Sequence, residues 1–162
     1  MKLTFEITRQ DYSGFVRYLF YKRRFKRTAF MILIVLIAVQ FSINYKNPSW
    51  YSVFISSVVS LAIYAFLINR GLNRAGNIPD ENGSILGHRE MEFLDDRFTC
   101  NSEKVESSNK YSTIKSVEES SLGFYLFVDK NVAMLVPKRA FANKTQEDDF
   151  RKLITSQLSK PI

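Results

Sequence analysis

The sequence predicts an α+β membrane protein: a two-helix transmembrane hairpin joined to a small antiparallel β-sheet domain that ends in an amphipathic helix. Three observations carry that prediction. Two charge-free apolar runs, Thr28–Tyr45 and Asn47–Asn69, flank a lone Lys46. Basic residues gather at the outer ends of these runs. Residues 1–75 hold eleven Lys and Arg against two Asp and Glu, whereas residues 76–162 hold twelve against fourteen. After residue 84 the hydrophobic period shortens to about two, and it returns to helical spacing near the C-terminus.

Each apolar run contains ten residues drawn from Leu, Ile, Val and Phe. A helix needs about 20 residues, at about 1.5 Å rise each, to cross a hydrocarbon core about 30 Å thick. Transmembrane helices are therefore expected over 28–45 and 50–69. Two such runs side by side would otherwise need a large protein core around them, and the remaining residues are too few to supply it. A cleaved signal peptide does not fit, because a long charged region precedes the first run and no small-residue cleavage site follows it. The connector Tyr45–Ser49 contains Asn47-Pro48, so the helices must be antiparallel neighbours. Lys22, Arg23, Arg24, Lys26 and Arg27 precede the first helix, and Arg70 and Arg74 follow the second. Positive residues stay on the cytosolic side, so both termini are expected in the cytosol, and the same cations are candidates for contact with anionic lipid. Ser52, Ser56 and Ser60 form a small stripe on the second helix, and Gln40 and Asn44 share a face of the first. Counting from the connector sets Gln40 level with Ser56 and Asn44 level with Ser52, so these faces are expected to meet.

Upstream, Leu3, Phe5 and Ile7 alternate with polar residues, a short strand signal. Thr8 can cap a helix whose first turn holds Asp11. Tyr12, Phe15, Val16, Leu19 and Phe20 continue at helical spacing. Residues 1–27 are therefore expected as a short strand and an amphipathic helix on the inner membrane surface.

A turn-rich linker is expected over 70–83, and a cytosolic β domain over 84–160. Strand-like runs cover 87–94, 97–101, 104–108, 114–118, 123–128 and 132–136, with turns at Asp95-Asp96 and Asp129-Lys130-Asn131. Pro137 ends the last strand because it has no N–H for the ladder. Thr145 and Asp148 resemble a capping box, and Phe150, Leu153, Ile154 and Leu158 make one apolar helical stripe. A small antiparallel sheet plugged by one such helix has the outline of a pleckstrin-homology-like domain.

The chain also resembles the YcxB-like family of bacterial membrane proteins. The resemblance runs through Thr8-x-x-Asp11-Tyr12-x-x-Phe15, the membrane hairpin and Ile85-Leu86-Gly87-His88. It continues through Tyr111-Ser112-x-Ile114-x-x-Val117-Glu118, Phe124–Phe127 and Val136-Pro137-Lys138-Arg139-Ala140-Phe141. Members usually carry Trp where this chain has Tyr111, a conservative change between two rings with polar tips. The resemblance implies a cytosolic domain similar to bacterial pleckstrin-homology-like folds and implies no catalytic activity.

No catalytic or metal-binding constellation is expected, and no cofactor. His88 and Cys100 are the single residues of their kinds, and there is no glycine-rich phosphate loop. One cysteine also excludes an intrachain disulfide. The basic residues flank apolar runs, so the positive charge reads as membrane topology and not as nucleic-acid binding. The expected role is a membrane-anchored interaction module whose partners are the lipid bilayer and a protein partner or a second copy of itself. One alternative is a sensor of anionic lipid head groups, with Lys138 and Arg139 as candidate ligand contacts. Another is a transport accessory or a self-protection protein against membrane-active peptides.

Overall fold

The computed structural model describes residues 1–44, 49–80, 83–103 and 105–158. It contains two units, one formed by residues 1–15 with 76–162 and the other by residues 16–75.

The first unit is a β domain with strands β1 (Lys2–Ile7), β2 (Gly87–Phe93), β3 (Arg97–Ser102), β4 (Glu106–Lys110), β5 (Ser116–Glu119), β6 (Gly123–Asp129) and β7 (Val132–Pro137). They form a four-stranded sheet, β1-β2-β3-β4, and a three-stranded sheet, β5-β6-β7, antiparallel throughout. Strands β2 to β7 lie within about two residues of the runs expected from the sequence, although β6 does not alternate and is buried at every position from Gly123 to Phe127. The extent of the domain differs. Its first strand comes from the other end of the chain: Lys2 pairs with Glu92 and Ile7 with Gly87. The domain expected over 84–160 therefore lacks one of its own strands, because β1 buries Leu3, Phe5 and Ile7 in the same core as Met91 and Phe93.

The core is aromatic. Phe150 is fully buried, on helix α4 (Lys144–Leu158), and its ring lies 5.1 Å from Phe93, 5.1 Å from Phe124 and 5.2 Å from Phe141. Ile154, one turn on, is buried as well, so the stripe predicted for this helix faces the sheets. The cap lies two residues earlier than expected. Asn143 Oδ1 accepts from the Gln146 N–H at 2.9 Å, and Gln146 Oε1 accepts from the Ala142 N–H. Asn is the stronger cap, and Gln three residues on can reach back where Asp148 cannot.

Helix α1 (Arg9–Leu19) starts in the β domain and passes through a π-helical turn, Phe20–Arg24, into α2 (Phe25–Asn44). The backbone stays right-handed helical through that turn, which closes with a Phe25 N–H bond to the Phe20 carbonyl. Helix α3 (Trp50–Gly76) follows. It runs beyond residue 69, so the first part of the expected linker is helix carrying Arg70 and Arg74. Both long helices are apolar enough to cross a membrane, and their apolar windows are unburied. Large side chains such as Phe41, Phe54 and Phe66 are more than 60% exposed, as suits an apolar surrounding. Tyr45 to Pro48 lie outside the described residues, as do Glu81, Asn82, Lys104, the side chains of Ile43 and Asn44, and 159–162. The connector and the Asn44–Ser52 contact expected from the sequence fall there.

Candidate functional site

Within residues 16–75, Gln40 is the polar hub of the helix pair. Its amide nitrogen lies 2.8 Å from Ser56 Oγ, 2.9 Å from Ser57 Oγ and 3.2 Å from the Val53 carbonyl. Ser56 Oγ lies 3.1 Å from Gln40 Oε1. In hydrocarbon a polar side chain gains most by finding a partner on the neighbouring helix. Ser52 Oγ donates to the carbonyl of Ser49, and Ser60 is half-buried. Arg17 Nη2 donates to Asn73 Oδ1 at 2.8 Å, a contact between α1 and α3 that the sequence reading missed. Lys22, Arg23, Arg24, Lys26, Arg27, Arg70 and Arg74 are all exposed.

In the β domain two separated motifs meet. Thr8 and Asp11 cap α1 reciprocally: the Thr8 N–H and hydroxyl donate to Asp11 Oδ2 at 2.8 and 2.7 Å, and the Asp11 N–H donates to Thr8 Oγ1. Both Asp11 oxygens also accept from the Arg139 guanidinium, whose Nη2 donates at 2.8 Å to the Glu6 carbonyl. Burial pushes the Asp11 carboxyl up, but Arg139 and the Thr8 donors together hold it below the usual carboxylate range. Four residues on, the Phe15 ring sits 5.0 Å from Tyr125 and 6.1 Å from Phe127. Phe15 therefore packs on the three-stranded sheet, not on the membrane surface as expected. The sheet offers two large rings and a buried site, which lipid contact at the interface does not match.

Lys138 is engaged too. Its Nζ lies 2.7 Å from Glu119 and 3.6 Å from Glu147, and Arg151 reaches both acids at 3.0 and 2.8 Å. Arg151, then Lys138, donate to Glu119 and hold its carboxyl down to about 2. Lys138 and Arg139, expected as ligand contacts, thus serve the domain's own carboxylates. The sequence signal for this was present but non-local: each cation needs an acid more than eighteen residues away, except for Glu147.

Beside this network, β5 and α4 border an open groove of 430 Å³. Phe124, Phe150 and Ile154 form its apolar part, and Glu119 and Arg151 its charged part. Strand β5 is an edge strand of its sheet, hydrogen-bonded to β6 alone in the strand order.

Tyr111, in the short 3₁₀ turn after β4, is buried beside Phe98, and its hydroxyl donates to the Leu94 carbonyl at 2.8 Å. Burial, then Asp95 and Asp96, push its phenol up to about 12.

No curated protein and no solved structure matches the chain. A family model does match, from Phe93 at the end of β2 to Ile154 in α4; strand β1, the membrane helices and most of β2 lie outside it. The region holding Tyr111, Lys138, Arg139 and the β5–α4 groove, residues 93–154, is thereby similar to the family described as YcxB-like protein.

Proposed function

We propose that this chain is a two-pass protein of the cell membrane with both ends in the cytosol, and that its β domain, pleckstrin-homology-like in outline, is an interaction module for a protein partner or a second copy of the chain. The topology is supported by the β1–β2 ladder. Strands on either side of the hairpin share one sheet, so the segment between them must cross the bilayer an even number of times. Two apolar helices satisfy that count. The basic residues flanking the hairpin support a cytosolic position for the shared side. Sheets of four and three strands followed by one helix support the domain outline.

The groove between β5 and α4 carries the functional reading. An edge strand offers unpaired backbone groups to an extended segment, and the apolar floor beside it takes alternate side chains of that segment. The test is a photoreactive residue at Thr155, exposed and lining the groove, in full-length protein in native membranes. One defined adduct is expected there and none from the same residue at Ser108, exposed on β4. Adding Ile154→Trp, or no site-specific adduct at all, decides the matter: an adduct that survives the filled groove refutes the assignment.

A second reading, sensing of anionic lipid, is favoured by the exposed cations of the π-helical turn and the start of α2. It predicts that replacing Lys22, Arg23 and Arg24 with Gln abolishes enrichment of anionic lipid around the purified protein while leaving the Thr155 adduct intact.

A further inference from the structure

We propose that a second cavity in the β domain, beneath Arg89, binds a small amphipathic anion: a carboxylate or phosphate head on a short apolar chain. The strand register places the head group's partner. On β2, Met91 and Phe93 are buried, and alternation puts Arg89 on the same inward face. Its neighbour across the ladder is Phe5, also buried. A cation on an apolar inner face is unfavourable without a partner of opposite charge. Among the described residues Arg89 has no carboxylate. Its Nη2 donates to the carbonyls of Ser84 and Ile85, and its Nε is buried with no hydrogen-bond acceptor.

The cavity has a volume of 210 Å³ and its walls include Phe5, Ile7, Met91 and Leu135, with Arg89 and Cys100. At about 30 Å³ per non-hydrogen atom it holds about seven such atoms, and because it is open on one side the end of a longer chain extends past its mouth. A bare inorganic anion would leave the apolar walls unfilled, and a neutral chain would leave the guanidinium uncompensated. An anion with a short chain, or the head and first carbons of a single-chain lipid, satisfies both. The planar fork of Arg suits a carboxylate or phosphate. Ser84 and Ile85 line the same cavity, so binding exchanges two neutral carbonyl acceptors for one charged acceptor at its edge.

Cys100 is the only cysteine of the chain and lines the cavity, so it reports occupancy. Full-length protein in phosphatidylcholine nanodiscs is alkylated with iodoacetamide at alkaline pH, since burial pushes the thiol up. The rate is followed by intact mass. Octanoate and octyl phosphate at ten times their Kd are expected to slow alkylation about tenfold, because only the empty fraction reacts. Octanol and inorganic phosphate leave the rate unchanged, and Arg89→Gln removes the protection by octanoate. Ala133→Phe, whose six added carbons take up most of the cavity, removes protection by any probe, and it stands in if Arg89→Gln fails to fold. Monoacyl phosphatidic acid placed in the nanodisc bilayer separates the sources. Protection from the bilayer assigns the anion to the membrane, and protection by soluble octanoate alone assigns it to the cytosol. Equal protection by octanol, protection that persists in either variant, or none from any anionic probe overturns the proposal.

Discussion

Replacing Asp11 with Ala is expected to destabilise the β domain by about 2–3 kcal/mol. Two losses add up. The reciprocal Thr8–Asp11 cap contributes about 1 kcal/mol. The pair with Arg139 contributes about 1–2 kcal/mol: the Asp11 side chain is only 10% exposed, but that of Arg139 is 50% exposed, so solvent screens part of the interaction. For a domain of about 100 residues this shifts Tm by about 10–20 °C. The assay is calorimetric unfolding of full-length protein in nanodiscs, with Thr8→Ala, Arg139→Gln and the Asp11→Ala, Arg139→Gln double variant. Thr8→Ala should cost about 1 kcal/mol, and the cycle should give a coupling of about 1–2 kcal/mol. The pH dependence has a fixed sign. The folded-state carboxyl titrates below its unfolded value of about 3.9, so its stabilisation is fully present above that value and disappears as pH falls through the lower, folded value. Asp11→Asn should lack this acid-dependent part. Additive single variants, or a Tm shift below about 3 °C for Asp11→Ala, would refute the reasoning.

Tyr111→Phe removes the bond to the Leu94 carbonyl and should cost about 1 kcal/mol by denaturant titration. Since the folded phenol is raised to about 12, the stability linked to its proton is present below about pH 10 and lost between there and pH 12, and Tyr111→Phe should flatten that alkaline decline. Gly123→Ala should destabilise by about 1–3 kcal/mol, because the new Cβ would lie 2.5 Å from the Val136 carbonyl oxygen, a backbone atom of the paired strand. Gln40→Leu should weaken the helix pair by about 0.6–2 kcal/mol in a detergent unfolding titration, with no change in the Tm of the β domain. Residues 84–160 expressed alone should be aggregation-prone by light scattering, whereas residues 1–15 supplied through a flexible linker should restore a cooperative transition.

Much of the fold was legible because its signals are local. Strands β2 to β7 fall on short strand-like runs bounded by Asp, Asn and Gly turns, and α4 follows a period near four. Gln40 was reachable by counting residues from the connector, since two antiparallel helices share one register. What was not legible is non-local. Leu3, Phe5 and Ile7 announce a strand, but nothing near them names β2 as its partner some eighty residues later. Arg139 reads as a surface cation until α1 places Asp11 against it. Phe15 belongs to an amphipathic stripe that suits a membrane surface equally well, and only the rings of Tyr125 and Phe127 decide its destination. The cap at Asn143 was missed for a different reason: two overlapping polar runs, Asn143–Gln146 and Thr145–Asp148, offer themselves, and side-chain reach selects the first.

The placement of β1 ties the stability of the domain to the hairpin. Burying Leu3, Phe5 and Ile7 is worth up to about 4–9 kcal/mol at about 1.5–3 kcal/mol per side chain, an upper bound since the unfolded chain already hides some apolar surface. A domain of this size has a net stability of only about 5–15 kcal/mol. Removing β1 therefore takes away most or all of that margin and also opens the edge of β2 to other chains. In free solution, joining Ile7 to Gly87 would close a loop of about eighty residues, at an entropic cost that grows with the logarithm of its length. The intervening segment is largely helix that doubles back once, so the chain between these strands is already ordered when both helices are in place. On the proposed two-pass reading, a hairpin held in the bilayer lowers the entropic cost of closing the sheet. On that reading, a chain with only one helix inserted would leave β1 and β2 on opposite sides of the bilayer, and the β domain would lack its first strand.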